Sequence, residues 1–363
     1  MASEKRLTVV QMLPALEMGG VEKGTLEMSR FLVEQGHRSI VISEGGQMLP
    51  ALMDQGGEHL NWPVGVKHLW TLRLINRVRD FLIKNHVDIL HLRSRMPAWI
   101  GYLAWRGIPP NNRPRLVTTV HGFYSVNPYS AVMTKGERVI AVSESVRCYI
   151  RKNYPKTSDN RIEVIHRGVD PLRYPYGFQP DKEWYSNWHY PTADRYVVTL
   201  PGRLTAWKGQ MEFIELIHHL KQDNIPVLGL IVGEAHPRRL QFKEKLKNRI
   251  TSLGLEKDII LTGQRRDLRE IMAISDVVLS MSKDPEAFGR TTLEALSLGK
   301  PVAGYEHGGV AEQLQALLPE GQIPVGDVQS LSHCLRHWYH ERPEVKRNNP
   351  FTLQNMLRKT HGL

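Results

Sequence analysis

Short apolar runs alternate with stretches of helical periodicity along nearly the whole chain. Residues 7–13 form such a run, and apolar positions in 21–35 then recur with a helical period. Residues 38–43 read as a second strand, 72–85 as an amphipathic helix, and 89–92, 116–121 and 138–142 as further strands. Brief strands that are apolar throughout, set between helices, predict a parallel sheet covered on both faces. The rhythm breaks over 171–195, where Pro171, Pro175, Pro180 and Pro191 sit among Tyr174, Tyr176, Trp184, Tyr185, Trp188 and Tyr190. So many aromatic side chains seek burial, so this is read as an ordered connection rather than a flexible linker.

The alternation then restarts. Strands are expected at 196–201, 227–232, 258–262, 276–281 and 301–304. Helices are expected at 210–221, 238–253, 290–298 and 309–317, with 350–359 as a last one. The fold class predicted is α/β: two Rossmann-like domains in tandem, 1–175 and 176–345. Sheets of this kind bind ligands beyond the carboxyl ends of their strands, and a cleft between two such domains is the natural site. The loops after strands are therefore where chemistry is sought.

Composition narrows the partners. The 363 residues carry a formal charge of +11, which points to anionic partners. Residues 67–115 hold ten Lys/Arg against two acids, about +8 of that total. A solvated surface is the ordinary meaning of such scattered charge; a face turned toward anionic lipid is the sharper one. Nucleic acid is not an expected partner, because there is no zinc spacing, RNP-like motif or Arg/Gly-rich tail. Cys148 and Cys334 lie far apart, and no apolar stretch approaches the roughly 20 residues that span a bilayer. A cytoplasmic protein, soluble or peripheral on the inner face of the membrane, is expected.

The candidate chemistry gathers after two strands. Glu286-Ala-Phe-Gly-Arg-Thr-Thr-Leu-Glu294 places one acid in a loop and the other about a turn into a helix. Inside one helix the two would lie about 12 Å apart; the loop lets both face one cleft. The N–H groups of Gly289, Arg290 and Thr291 at the helix start have no partner within the helix itself and would favour phosphate. Alone, the pattern more often means a solvated loop acid at Glu286 and a helix cap or ion pair at Glu294. Its neighbourhood is Gly202-Arg203-Leu204-Thr205-Ala206-Trp207-Lys208-Gly209, a glycine-flanked loop with an Arg and a Lys suited to a diphosphate. Gly19-Gly20, before the helix at 21–35, permits close backbone approach but lacks the full phosphate-binding spacing.

These pieces, with His121-Gly122, Ala141-Val142-Ser143-Glu144, Gly168-Val169-Asp170 and Gly299-Lys300-Pro301 before Gly308-Gly309, resemble the retaining GT-B glycosyltransferases of glycosyltransferase family 4, of the bacterial cell-envelope or lipopolysaccharide type. The resemblance covers nearly the whole chain. It implies a nucleotide-sugar donor, a glycan or glycolipid acceptor and no cofactor; no metal is expected, because the chain has no Asp-x-Asp and Arg203, Lys208 and the helix start can meet the diphosphate instead. It implies that Arg203 and Lys208 hold the donor diphosphate, that Glu294 binds its ribose, and that Glu286 lies against the sugar. Phe288, Gly289 and Arg290 would line the sugar and phosphate pocket, and Gly20 would approach the diphosphate. His121 would face the transferred sugar, and Arg265, in 263–266, falls where the family binds the base. Arg93, Arg95 and Tyr124 are assigned to the acceptor side. The family also carries its last helix, here within 346–363, back onto the first domain. Arg167 departs from the family, where Asn is common. A GT-B-fold nucleotide-sugar epimerase is the alternative enzyme, separated by whether a glycosylated product forms.

Overall fold

The computed structural model describes residues 5–235 and 240–363. The chain divides into two compact units, residues 1–166 with 356–363 and residues 167–355.

In the first unit, strands β1 (Thr8–Met12), β2 (Arg38–Ser43), β3 (Glu58–Asn61), β4 (Ile89–Leu92), β5 (Arg115–Val120), β6 (Arg138–Ala141) and β7 (Ile162–Val164) form one sheet. Its order is β3-β2-β1-β4-β5-β6-β7, with every pair parallel. Helices α1 (Gly20–Glu34), α2 (Leu49–Asp54), α3 (Leu74–Lys84), α4 (Arg95–Arg106) and α5 (Glu144–Asn153) connect the strands. The apolar run at 7–13 becomes β1, whose Val10 and Met12 are fully buried. The stripe expected on α3 splits. Val78 and Leu82 are core, whereas Leu72 is exposed together with Leu69 (81%) and Trp70 (60%) in the short helical turn before α3.

The second unit starts at the crossing segment 167–174. That segment stays with it because Val169 pairs in parallel with Thr352, and Gly168 lies against the backbone of Thr352 and Leu353. Helix α6 (Lys182–Ser186) sits in the aromatic stretch, where Trp184 and Trp188 stack at 4.9 Å and pack on Val197, Leu228 and Leu230. The connection is thus ordered, as its aromatic content requires. Strands β8 (Tyr196–Pro201), β9 (Val227–Val232), β10 (Ile259–Gly263), β11 (Val277–Ser280), β12 (Val302–Tyr305) and β13 (Gln322–Ile323) form a parallel sheet of order β10-β9-β8-β11-β12-β13. Helices α7 (Gln210–Gln222), α8 (Leu240–Ser252), α9 (Leu268–Ile274), α10 (Arg290–Ser297), α11 (Gly308–Leu317) and α12 (Val328–His340) cover it. The expected start of α8, at 238–239, lies outside the described residues.

Helix α13 (Leu353–His361) begins in the second unit and ends in the first. There Met356 and Leu357 are buried, and the His361 ring stacks on His37 at 5.0 Å with Nε2 atoms 2.8 Å apart. Among the described residues no helix is long and apolar enough to cross a membrane.

Candidate active site

Both sheets are doubly wound, and the strand order reverses between β1 and β4 in one and between β8 and β11 in the other. Ligands of such sheets bind beyond the carboxyl ends of the two strands at that reversal. In the second unit the loops at this place are 202–209, after β8, and 281–289, after β11. They are joined by a backbone bond from Lys283 N–H to the Trp207 carbonyl, 2.7 Å.

Lys208 and Glu286 meet across these loops. Lys208 Nζ donates to Glu286 Oε1 at 2.7 Å, with the two side chains 17% and 18% exposed. Ser282 Oγ donates to the same oxygen at 2.6 Å. The ammonium also lies 4.4 Å from the Trp207 ring centre. Gly209 has φ +80°, and a Cβ there would stand 2.3 Å from the Met281 carbonyl oxygen, so no side chain fits where α7 begins. Arg203 is exposed at the mouth of its loop, and its carbonyl oxygen accepts from Gln210 Nε2 at 3.0 Å.

The helix start expected at Arg290 is observed. Gly289, at φ +87°, is the N-cap of α10, a position where it offers no side chain of its own to the helix start. Phe288 is buried edge-on to Phe351 at 6.0 Å, and Gln313 Nε2 donates to the Gly289 carbonyl at 3.2 Å. Glu294 is only 8% exposed. Its carboxylate accepts from Tyr174; burial, then this negative neighbour, raises the phenol's pKa and keeps it protonated. Tyr174 comes from the crossing segment, where its carbonyl also accepts from Ser297 Oγ at 2.8 Å. Arg167 is buried in the same segment.

Arg265 makes a two-pronged pair with Asp267, at 2.9 and 2.6 Å, and Trp184 Nε1 donates to the same carboxylate at 2.8 Å. Burial would raise the Asp267 pKa, yet these hydrogen bonds carry it below the ordinary carboxylate range.

In the first unit Gly20 is exposed at the start of α1, after β1. His121 follows β5, and its backbone N–H donates to Tyr124 Oη at 3.2 Å. The Arg95 guanidinium lies over the Tyr124 ring at 4.9 Å, so these three residues do gather. Arg95 opens α4, which follows β4. Arg93 stands apart from them. It is 2% exposed, and its Nη1 donates to the buried Gln11 Oε1 at 2.6 Å inside the sheet. Ser282 and Tyr174 join the candidate site through their contacts with Glu286 and Glu294 and are not among the residues expected from sequence. Ser282 carried a usable signal, since it directly follows the strand expected at 276–281.

Two doubly wound parallel sheets, the second with a charged pair at its strand reversal, form the architecture of a GT-B glycosyltransferase. Residues 18–173 match the model of Glycosyltransferase Family 4, and residues 187–350 that of Glycosyl transferases group 1. The chain belongs to the GT-B glycosyltransferases of family 4. A glycosyltransferase from Rickettsia africae shares its fold with a TM-score of 0.86 at 29% identity, over 98% of this chain and 97% of that one. The N-acetyl-alpha-D-glucosaminyl L-malate synthase of Bacillus anthracis is 23% identical over 82% of this chain and 78% of its own. The UDP-Gal:alpha-D-GlcNAc-diphosphoundecaprenol alpha-1,3-galactosyltransferase of Escherichia coli is 26% identical over 82% of this chain and 79% of its own.

Proposed function

We propose that this glycosyltransferase moves a sugar from a nucleotide donor to a hydroxyl of a lipid-linked or lipopolysaccharide-type glycan, with retention of anomeric configuration and without a metal. The observation that carries the reading is the meeting of Lys208 and Glu286 at 2.7 Å at the strand reversal of the second sheet. Lys208, the exposed Arg203 and the N-terminus of α10, which follows Gly289, present positive charge to a diphosphate and stabilise it as it leaves. Glu294, oriented by Tyr174, takes the ribose hydroxyls, and Glu286 a hydroxyl of the sugar. Phe288, Gly289 and Arg290 wall the sugar and phosphate region, with Arg265 toward the base. The roles of Gly20, His121, Arg95 and Tyr124 in the first unit rest on the family resemblance.

The leaving phosphate takes the acceptor proton as the new glycosidic bond forms on the same face and the sugar–phosphate bond breaks. The Escherichia coli relative's name supports a uridine-nucleotide donor and a diphosphoundecaprenol acceptor, and both relatives' names specify alpha configuration. Membrane-surface binding belongs to the same reading, carried by exposed Leu69, Trp70 and Leu72 beside Lys67, Arg73 and Arg77.

A thermal-shift screen against UDP-, GDP- and ADP-sugars, followed by transfer assays with and without EDTA, tests it. One nucleotide class should raise the melting temperature, and transfer should survive EDTA and fall at least a hundredfold in Glu286→Ala. Transfer lost in EDTA and restored by magnesium overturns the metal-free step. Epimerised free donor with no glycosylated product overturns transfer itself.

A further inference from the structure

Oε1 of Glu286 receives two hydrogen bonds, from Lys208 Nζ at 2.7 Å and from Ser282 Oγ at 2.6 Å. Its Oε2 has no hydrogen bond among the described residues and is the oxygen left to meet a ligand. The two donors differ in what else claims them. Lys208 sits at the loop mouth, where a diphosphate competes for its charge. Ser282 is 3% exposed, and among the described residues its hydroxyl donates only to Glu286.

The backbone of Ser282 is itself held from a third loop, the one after β12. His307 Nε2 donates to the Ser282 carbonyl at 2.7 Å, and Gly309 N–H donates to the Glu286 carbonyl at 2.8 Å. Between them, Gly308 packs so closely that a Cβ would stand 2.4 Å from that carbonyl oxygen. The segment from Ser282 to Glu286 is thus pinned at both ends, and only the carboxylate is left to be oriented.

We propose that Ser282 is a positioning residue for Glu286, with His307 holding its backbone. Resting on the donor-site reading above, its hydroxyl keeps the carboxylate aimed once Lys208 turns to the diphosphate, so that Oε2 accepts a hydroxyl of the donor sugar. A hydrogen bond to a carboxylate is stronger than a neutral one, and its loss frees the side chain to rotate away from the sugar.

The test is a double-mutant cycle in the full chain, with UDP-sugar donor turnover and UDP binding as readouts. Ser282→Ala is expected to lower kcat about tenfold, with donor KM and UDP Kd held within about twofold. In a Glu286→Ala background the same change is expected to cost less than twofold, because there is no carboxylate left to aim. Equal losses in both backgrounds would overturn the proposal. So would an unchanged kcat in Ser282→Ala while Glu286→Ala is impaired, or a loss of UDP binding that tracks the loss of activity. Full transfer by Glu286→Ala alone would instead overturn the donor-site reading and this proposal with it.

Discussion

Lys208 and Glu286 neutralise one another in the substrate-free protein, which sets a measurable competition. Removing the charge while keeping the shape, in Glu286→Gln, releases Lys208 to a phosphate. UDP affinity by calorimetry is expected to rise roughly two- to fivefold, the worth of a partly exposed ion pair, while transfer falls. Unchanged affinity would mean that Lys208 does not hold the diphosphate. A second charged residue is suited to a pH experiment. Lys300 is nine-tenths buried, and burial, aided by Arg342 and opposed by Asp276, lowers its pKa to about 8 from near 10.5. Below pH 8 the ammonium is charged in both states, so the cost of burying it is carried in full. From pH 8 to 10.5 the unfolded chain binds more protons, so this group's contribution to stability rises with pH. In urea melts Lys300→Met should be more stable at pH 7 and lack that rise. The acids of the site were legible from their spacing at a strand–loop–helix junction. Tyr174 was not, because only the crossing segment brings it to Glu294.

At the scale of elements, the sharpest constraint is where the crossing segment 167–174 meets the start of α13. A Cβ on Gly168 would lie 2.4 Å from backbone atoms of Thr352 and Leu353, which have no side-chain freedom with which to yield. Gly168→Ala is expected to lose roughly 1–3 kcal/mol in chemical denaturation, as overpacking does. Strands apolar on both faces were readable from sequence: β8 and β9 match their expected bounds, and β1 lies inside its own. The edge strand β10 was too, but the edge strands β3 and β13 were not. β3 is half exposed and polar at both ends, and β13 has two residues, so neither carries an apolar run. Neither α12, whose polar face is dominated by histidines rather than by charged pairs, nor α4, which follows β4 and opens on Arg95, is among the helices expected from sequence.

For the whole molecule, net charge misled as much as it informed. The basic stretch 67–115 does not form one surface. Arg93 is inside the sheet, and the Arg113 guanidinium donates to the carbonyls of Ile108 and Arg106. What remains outward around Trp70 is smaller and mixed, cations beside exposed apolar side chains. Replacing Lys67, Arg73 and Arg77 by Gln should weaken flotation with anionic vesicles about fivefold per cation at low salt, and less at high salt. Equal binding to neutral vesicles would remove the electrostatic part of that reading. The tandem architecture was visible in the repeated strand–helix alternation, because each sheet must bury its strands on both faces. The strand orders, and the reversals that locate the site, depend on pairings distant in sequence.

The placement of residues 356–363 in the first unit has a consequence in time. During translation the second unit is complete before these residues exist. The first unit must therefore wait with the surface around Phe31 and His37 uncovered, and it is finished last although it is begun first. A chain stopped before residue 356 lacks the partner of His37 and Phe31.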